Sequence, residues 1–423
     1  MERKTDVKKQ FVKILLIGFL LIFNLSIQHS GISISENSIT KNGPFPNKLL
    51  DISFQESNPV TKLFNFFNPS EKGKQVTQLK LLPGGQSIGV TLQTKGVLII
   101  GHAPIIDEQG KEVYPAKDSG VEIGDVILKV NGVNALNDLQ VAKEINNQCK
   151  KNKKIELEIK RQEKILKKNI APVYCSETSR FRIGLYIRDE AAGVGTLTFL
   201  HPQTMTFGAL GHVVTDSDTK SQIELSGGKI VESMIYAIEK GKSGEPGEKI
   251  AAFAQESNFS GRINQNKSSG IFGIYEGRVE NPFFKEPIPV ALKSEIKTGK
   301  ADIYTVIEGN KIQKFEIKIE KLMPYRSDNK NMVIRVTDPE LLSKTGGIVQ
   351  GMSGSPIIQN GKIVGAVTHV FINDSNRGYA VFIEKMLDES GLLSKSATNQ
   401  NQITALGGFF LKRRNYFSVV EIM

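Results

Sequence analysis

The first hydrophobic segment of the chain is one continuous run, whereas the later ones alternate. Arg3, Lys4, Lys8, Lys9 and Lys13 precede a stretch from Ile14 to Phe23 with no polar side chain, and Leu25 and Ile27 extend it to 14 residues. That is shorter than the roughly 20 residues a comfortable membrane span needs, and close to the core of a secretion signal. A basic end in front of such a run keeps that end cytoplasmic and sends the rest across. Ser26-Ile27-Gln28-His29-Ser30 offers no small-x-small cleavage site. The pattern therefore predicts a signal anchor helix within residues 1–27, membrane-anchored, with everything after it extracytoplasmic. Residues 28–78 are rich in Ser, Asn, Gln, Lys and Pro around one aromatic knot, Phe64, Phe66 and Phe67. They predict a flexible tether.

From residue 79 the period changes. Pro83-Gly84-Gly85-Gln86-Ser87-Ile88-Gly89 leads into Val90-Thr91-Leu92, a Gly-rich turn feeding a strand. Such a turn can aim backbone N–H groups at a carboxylate while the strand edge takes an extended peptide. Further on, Gly124-Asp125 precedes Val126, Leu128 and Val130 in alternation, ending on Asn131-Gly132, the signature of a tight hairpin. Leu139, Ala142, Ile145 and Cys149 then recur at helical spacing, and Ile155, Leu157 and Ile159 alternate as a closing strand. This block, residues 79–172, resembles a PDZ domain. The resemblance implies a peptide-binding site at Gly84, Gly85, Ser87, Ile88 and Gly89; a β-rich spacer that binds nothing is the plainer alternative.

Residues 180–395 are a succession of short strands and turns, for example Gly193–Phe199, Ile271–Tyr275 and Lys314–Ile319, which predicts a barrel or sandwich. The chain as a whole reads as mainly β. Near the end of this region stands Gly351-Met352-Ser353-Gly354-Ser355-Pro356, with a second Asn-Gly turn at Asn360-Gly361. A serine hydroxyl is a poor nucleophile unless a rigid turn holds it beside a base. Flanking glycines permit that turn and leave the N–H groups of Gly351 and Ser353 free for an oxyanion. A Gly/Ser hairpin loop without chemistry would look the same. Of five histidines, His29 falls in the tether and His102 in the PDZ-like block. His201 precedes Pro202 in a turn and His369 sits in a strand, both read as structural. His212, in Gly208-Ala209-Leu210-Gly211-His212-Val213-Val214, opens the domain and is the candidate base.

Composition trims the alternatives. The net charge of +11 comes from lysine clusters without interleaved aromatics, so no nucleic-acid partner is expected. Two cysteines, Cys149 and Cys175, exclude a disulfide-stapled scaffold and a Cys-rich zinc site, while leaving a single bridge open. His212 and Asp216 lack the further ligands a metal would need, so neither metal nor cofactor is expected.

His-Val-Val opening the domain and Gly-x-Ser-Gly-x-Pro closing it look like a chymotrypsin-type double β-barrel. Taken together, the anchor, the PDZ-like block, Ala-Leu-Gly-His, Val336-Thr337-Asp338-Pro339 and Gly347-Ile348-Val349-Gln350-Gly351-Met352-Ser353-Gly354-Ser355-Pro356 resemble the sporulation stage IV protein B family. The resemblance implies a PDZ serine endopeptidase acting in the space between the two forespore membranes. It implies a membrane-protein substrate, the regulator of an intramembrane metalloprotease complex, and self-cleavage, with the chain's own tether as a second partner. It also implies Asp338 as the acid of a Ser353–His212–Asp338 triad. Asp338 followed by Pro339 is equally a good helix start, and Asp216 and Asp218 are rival acids. Without catalysis the chain would be a PDZ adaptor with an idle barrel. The tail, residues 396–423, matches nothing in the resemblance and carries no assigned role.

Overall fold

A computed structural model describes residues 76–149, 154–254, 259–278 and 281–393. The expected anchor, nearly all of the tether and the tail lie outside the described residues. Among the described residues no helix is long and apolar enough to cross a membrane.

Strands dominate, as the alternation predicts. The first are β1 (Lys80–Pro83) and β2 (Ser87–His102), followed by β3 (Val126–Val130), β4 (Ile155–Arg161), β5 (Lys164–Ile170), β6 (Val173–Cys175) and β7 (Arg180–Arg182). Next come β8 (Leu185–His201), β9 (Thr206–Ala209), β10 (Leu225–Glu239), β11 (Glu248–Phe253), β12 (Phe259–Lys267) and β13 (Gly270–Gly277). The last are β14 (Gly299–Val306), β15 (Ile312–Leu322), β16 (Met332–Val336), β17 (Pro356–Gln359), β18 (Lys362–Phe371) and β19 (Asp374–Phe382). Helices accompany them: α1 (Pro115–Asp118), α2 (Asp138–Cys149), α3 (Pro339–Thr345) and α4 (Ile383–Glu389).

These strands make the double barrel. The ladder β8-β9-β13-β12-β10-β2 closes on itself because β2 also pairs with β8. Its interior is packed with Ile88, Leu92, Leu197, Phe207, Ile230 and Ile263. The second barrel, β14-β15-β16-β19-β18-β17, is closed around Ile303, Phe315, Ile317, Met332, Ile334 and Ile357. Each such side chain contributes about 1.5–3 kcal/mol by leaving water. Both Asn-Gly pairs turn as their chemistry requires. Asn131 and Gly132 have φ of 51° and 83°, and Asn360 and Gly361 have 52° and 72°, the left-handed pair that a two-residue hairpin demands.

The third layer, β8-β2-β3-β4-β5 with α1 and α2, is the PDZ domain. It is not a separate bead ahead of the barrels, because it shares β2 and β8 with the first barrel. Residues Ser87–Gln93 of β2 pair with Glu190–Thr196 of β8 inside the barrel, whereas His102, Gly101, Ile99 and Leu98 pair with Leu185–Arg188 inside the PDZ layer. The register slips between Arg188 and Glu190. Opposite that slip Gly96 has φ +95°, and a Cβ there would lie 2.6 Å from the carbonyl of Ile127, so only glycine lets β2 pass from one layer to the other. The segments expected at 79–172 and 180–395 therefore interlock. Residues 80–93 belong to the catalytic barrel, and Arg180–Arg188 complete the PDZ layer. Cys175 carries a free, buried thiol.

Candidate active site

The loop of Ser353 is bolted to β8. Thr196 donates its hydroxyl to Gly351 O at 2.8 Å and its N–H to Ser353 O at 2.9 Å, and Thr198 donates its hydroxyl to Gly354 O at 2.8 Å. Both threonines are fully buried. Gly354 has φ +94°, and a Cβ there would lie 2.1 Å from Thr196 O, so the second glycine of the motif is required by contact as well as by backbone conformation. Ser355 is buried with its hydroxyl on Met352 O, which makes it part of the turn and takes it out of reach of a substrate. The N–H groups of Gly351 and Ser353 have no acceptor among the described residues, whereas Met352, Gly354 and Ser355 all donate to carbonyls.

Ser353 and His212 line one cleft of about 740 Å³ between the two barrels. His212 reaches it from a strained corner, with Leu210 and Gly211 at φ 70° and 73°; a left-handed leucine is uncommon and costs about 1–3 kcal/mol. Asn266 holds the next turn, accepting from Val214 N–H at 2.9 Å and donating to Val214 O and Ile223 O. His212 Nδ1 lies 2.8 Å from Val213 O, which fixes the tautomer with the proton on Nδ1 and the lone pair on Nε2. Burial holds its pKa below the ordinary value, partly offset by that carbonyl. The hydroxyl of Ser353 donates to Thr368 O at 2.6 Å.

Asp338 is not brought to this pair. Its Oδ1 accepts from Glu340 N–H and Leu341 N–H at 3.0 Å each, capping α3, and its Oδ2 accepts from Glu316 N–H at 3.3 Å. It is absent from the cleft lining, and among the described residues no carboxylate bonds the His212 ring. Asp216 does line the cleft, but its carboxylate is spent as well. One oxygen accepts from Asp218 N–H, Thr219 N–H and the Thr219 hydroxyl, and the other from Arg188 at 2.8 Å. Burial pushes its pKa up, yet the Thr219 and Asp218 amides and Arg188 outweigh that and hold it below the usual carboxylate range. Asp218 also pairs with Arg188.

His369, expected to be structural, lines the cleft with its ring centroid 5.0 Å from that of His212. Desolvation at the cleft wall, then the charge of His212, push its pKa down to about 4. Its place in a strand pattern hid it, because β18 folds back over the serine loop only in three dimensions. Asn266 and Thr196 carried no signal at all.

The residues expected to bind peptide are a correction. Gly84 and Gly85 donate their N–H groups to Thr198 O and Leu197 O, so neither is free for a carboxylate. Ser87, Ile88 and Gly89 are buried strand residues of the first barrel, and the Ser87 hydroxyl lies 2.7 Å from that of Ser233. The PDZ layer has a groove elsewhere, about 380 Å³ between Val141, Ala142 and Ile145 of α2 and the segment Ile183-Gly184-Leu185, with Arg180 and Arg182 at its side. Among the described residues Leu185–Arg188 pair with β2 on one edge only, which leaves the other edge open to a strand. The sequence Ile183-Gly184-Leu185-Tyr186-Ile187 was a signal that could have marked it, being a Gly-containing turn into a strand like Ser87–Val90.

The sequence profile of the SpoIVB peptidase S55 family matches residues 179–387, and that of a PDZ domain matches residues 87–171. No curated protein matches the chain in sequence. Among solved structures, the Rv3671c protease of M. tuberculosis is 16% identical, with 48% of this chain and 74% of that one covered at a TM-score of 0.28. The thermostable serine protease AL20 from an extremophilic microorganism is 10% identical, with 48% and 92% covered at 0.31. Human heparin binding protein is 11% identical, with 45% and 75% covered at 0.24. These overall likenesses are slight.

Proposed function

The chain belongs to the SpoIVB peptidase S55 family and is a PDZ serine endopeptidase, and from that premise we propose that Ser353 is its nucleophile and His212 its general base. The observation that carries the assignment is the pair on one cleft beside two N–H groups, of Gly351 and Ser353, that lack acceptors among the described residues. In the reaction the Ser353 hydroxyl turns from Thr368 O to His212 Nε2, which takes its proton as Oγ attacks the scissile carbonyl. The Gly351 and Ser353 amides receive the oxyanion, and His212 returns the proton to the leaving amine. Water then repeats the sequence on the acyl-enzyme. The Val213 carbonyl supports the tautomer that a triad carboxylate would otherwise fix, while Asp338 serves the loop through α3.

We further propose that the open edge of β8 beside α2 takes an extended peptide. The substrate in this reading is an extracytoplasmic part of a membrane protein that regulates an intramembrane metalloprotease during sporulation, in the space between the forespore membranes. The tether at 28–78 is a second substrate, since a polar segment of that length can enter a cleft without unfolding a domain. The bond from Ser353 to Thr368 O also favours a second reading, a PDZ adaptor with an idle barrel. Labelling by a fluorophosphonate separates the two. The wild-type chain should label and release a soluble product starting between about residues 40 and 80. The Ser353→Ala chain should do neither while remaining folded. Labelling or trimming of the variant at the same point sinks the assignment.

A further inference from the structure

Lys249, on β11, is the one lysine buried among the described residues, with 1% of its surface exposed. Its Nζ donates to the hydroxyl of Thr305 at 2.9 Å, itself fully buried. Its stem lies directly behind the nucleophile's loop: a Cβ on Gly351 would come within 3.0–3.2 Å of the Lys249 Cδ, Cβ and Cγ atoms. The backbone is pinned at the same place. Lys249 N–H donates to Gln350 O at 3.0 Å and Gln350 N–H donates to Gly247 O at 2.7 Å. Gly351 therefore rests on the lysine on one side and on the Thr196 hydroxyl on the other. Lys249 does not line the cleft, so it touches no substrate.

We propose that Lys249 is a positioning residue whose uncharged side chain backs the Gln350–Gly351 peptide and keeps the Gly351 N–H free for the cleft, and that protonation of the amine releases this support. The proposal rests on the reading of the Gly351 and Ser353 amides as the oxyanion site.

An ammonium in this place has three N–H donors and one acceptor, in surroundings that solvate charge poorly. Among the described residues no carboxylate offsets it. Thr305 on β14 and Gly351 in the loop bring no charge, the cross-strand partner on β10 is Ile238, and the nearby Glu239 and Glu248 are exposed. Burial alone acts on the amine and pushes its pKa down to about 7 from an ordinary 10.5. The strain of protonation is relieved by moving Lys249 outward on β11, an edge strand paired only with β10 apart from the bridge to Gln350. Gly351 then loses its backing. Turnover should accordingly fall as pH drops through about 7, before His212, whose pKa lies below 6.5, takes up its proton.

The test is the pH dependence of the rate constant for fluorophosphonate labelling of the full chain. Lys249→Ala, which removes the stem, should slow labelling about tenfold or more at pH 8. Lys249→Met, which keeps the stem without the proton, should restore most of that rate and move the acid limb from about pH 7 to below 6.5. A folded Lys249→Met whose acid limb stays near 7 overturns the proposal, as does a Lys249→Ala that labels at the wild-type rate. Labelling that persists in Ser353→Ala strikes the active-site assignment instead. Thermal unfolding then still reads Lys249: from pH 10 down to 7 the wild type should lose stability relative to Lys249→Met, and parallel curves overturn the buried amine.

Discussion

Thr196 donates its hydroxyl to the carbonyl of Gly351, which fastens the loop of Ser353 to a strand that begins in the PDZ layer. Along β8 the open edge at Leu185–Arg188, the cleft wall at Glu190–Val194 and the clamps Thr196 and Thr198 follow one another. One piece of backbone therefore joins the edge proposed to take a peptide to the loop that holds the serine.

Thr196→Val keeps the volume and leaves Gly351 O buried without its donor. An unsatisfied buried carbonyl costs about 1–3 kcal/mol, so the thermal midpoint should fall. The fluorophosphonate rate should fall with it, because the Gly351 amide is no longer held. A variant that is destabilised yet labels normally would show that the clamp serves folding alone.

Asp338 caps α3, and its loss should cost about 1 kcal/mol. Asn keeps a capping oxygen where Ala does not. Asp338→Asn should therefore restore whatever stability and labelling rate Asp338→Ala loses. A triad acid behaves otherwise: the Asn variant would stay impaired by orders of magnitude, since the amide cannot stabilise an imidazolium. Paired measurements of unfolding and labelling on the two variants decide it.

The cleft histidines predict a stability that depends on pH. Both His212 and His369 have folded pKa values below the ordinary 6.5, that of His369 about 4, so the unfolded chain binds protons first as pH falls. The part of the stability that these two rings govern should be full above about 6.5 and decline from there toward about 4. His369→Gln should flatten that decline in a series of thermal melts. An unchanged slope would mean that the ring is solvated as in the unfolded chain.

The groove beside α2 predicts which substitution blocks peptide. Ala142→Phe fills the space between α2 and Leu185, and should weaken binding of a fluorescent C-terminal peptide library by about tenfold or more. Gly85→Phe should instead unfold the barrel, since a Cβ there already meets Ile312 at 2.9 Å and Gly85 has φ +113°. Loss of peptide binding by a fully folded Gly85→Phe would return the site to the first Gly-rich turn.

What the sequence determined by itself is whatever depends on neighbours along the chain. Alternation at Ile155-Leu157-Ile159 made a strand, the two Asn-Gly pairs made hairpins, Asp338-Pro339 began a helix, and glycines around Ser353 made a turn with free amides. Local sterics and side-chain period suffice for these. Tertiary structure alone decided which layer each half of β2 and β8 joins, and so left Gly84–Gly89 held within the first barrel while a groove opens beside Ile183–Ile187. Both segments are glycine-containing turns into β-branched strands, and the difference lies in what pairs with their edges, residues far away along the chain. The same holds for Thr196 under Gly351, Asn266 behind His212 and Lys249 behind the serine loop. A buried hydrogen bond or a buried amine is a property of the space around a side chain, and that space is set only when the barrels close.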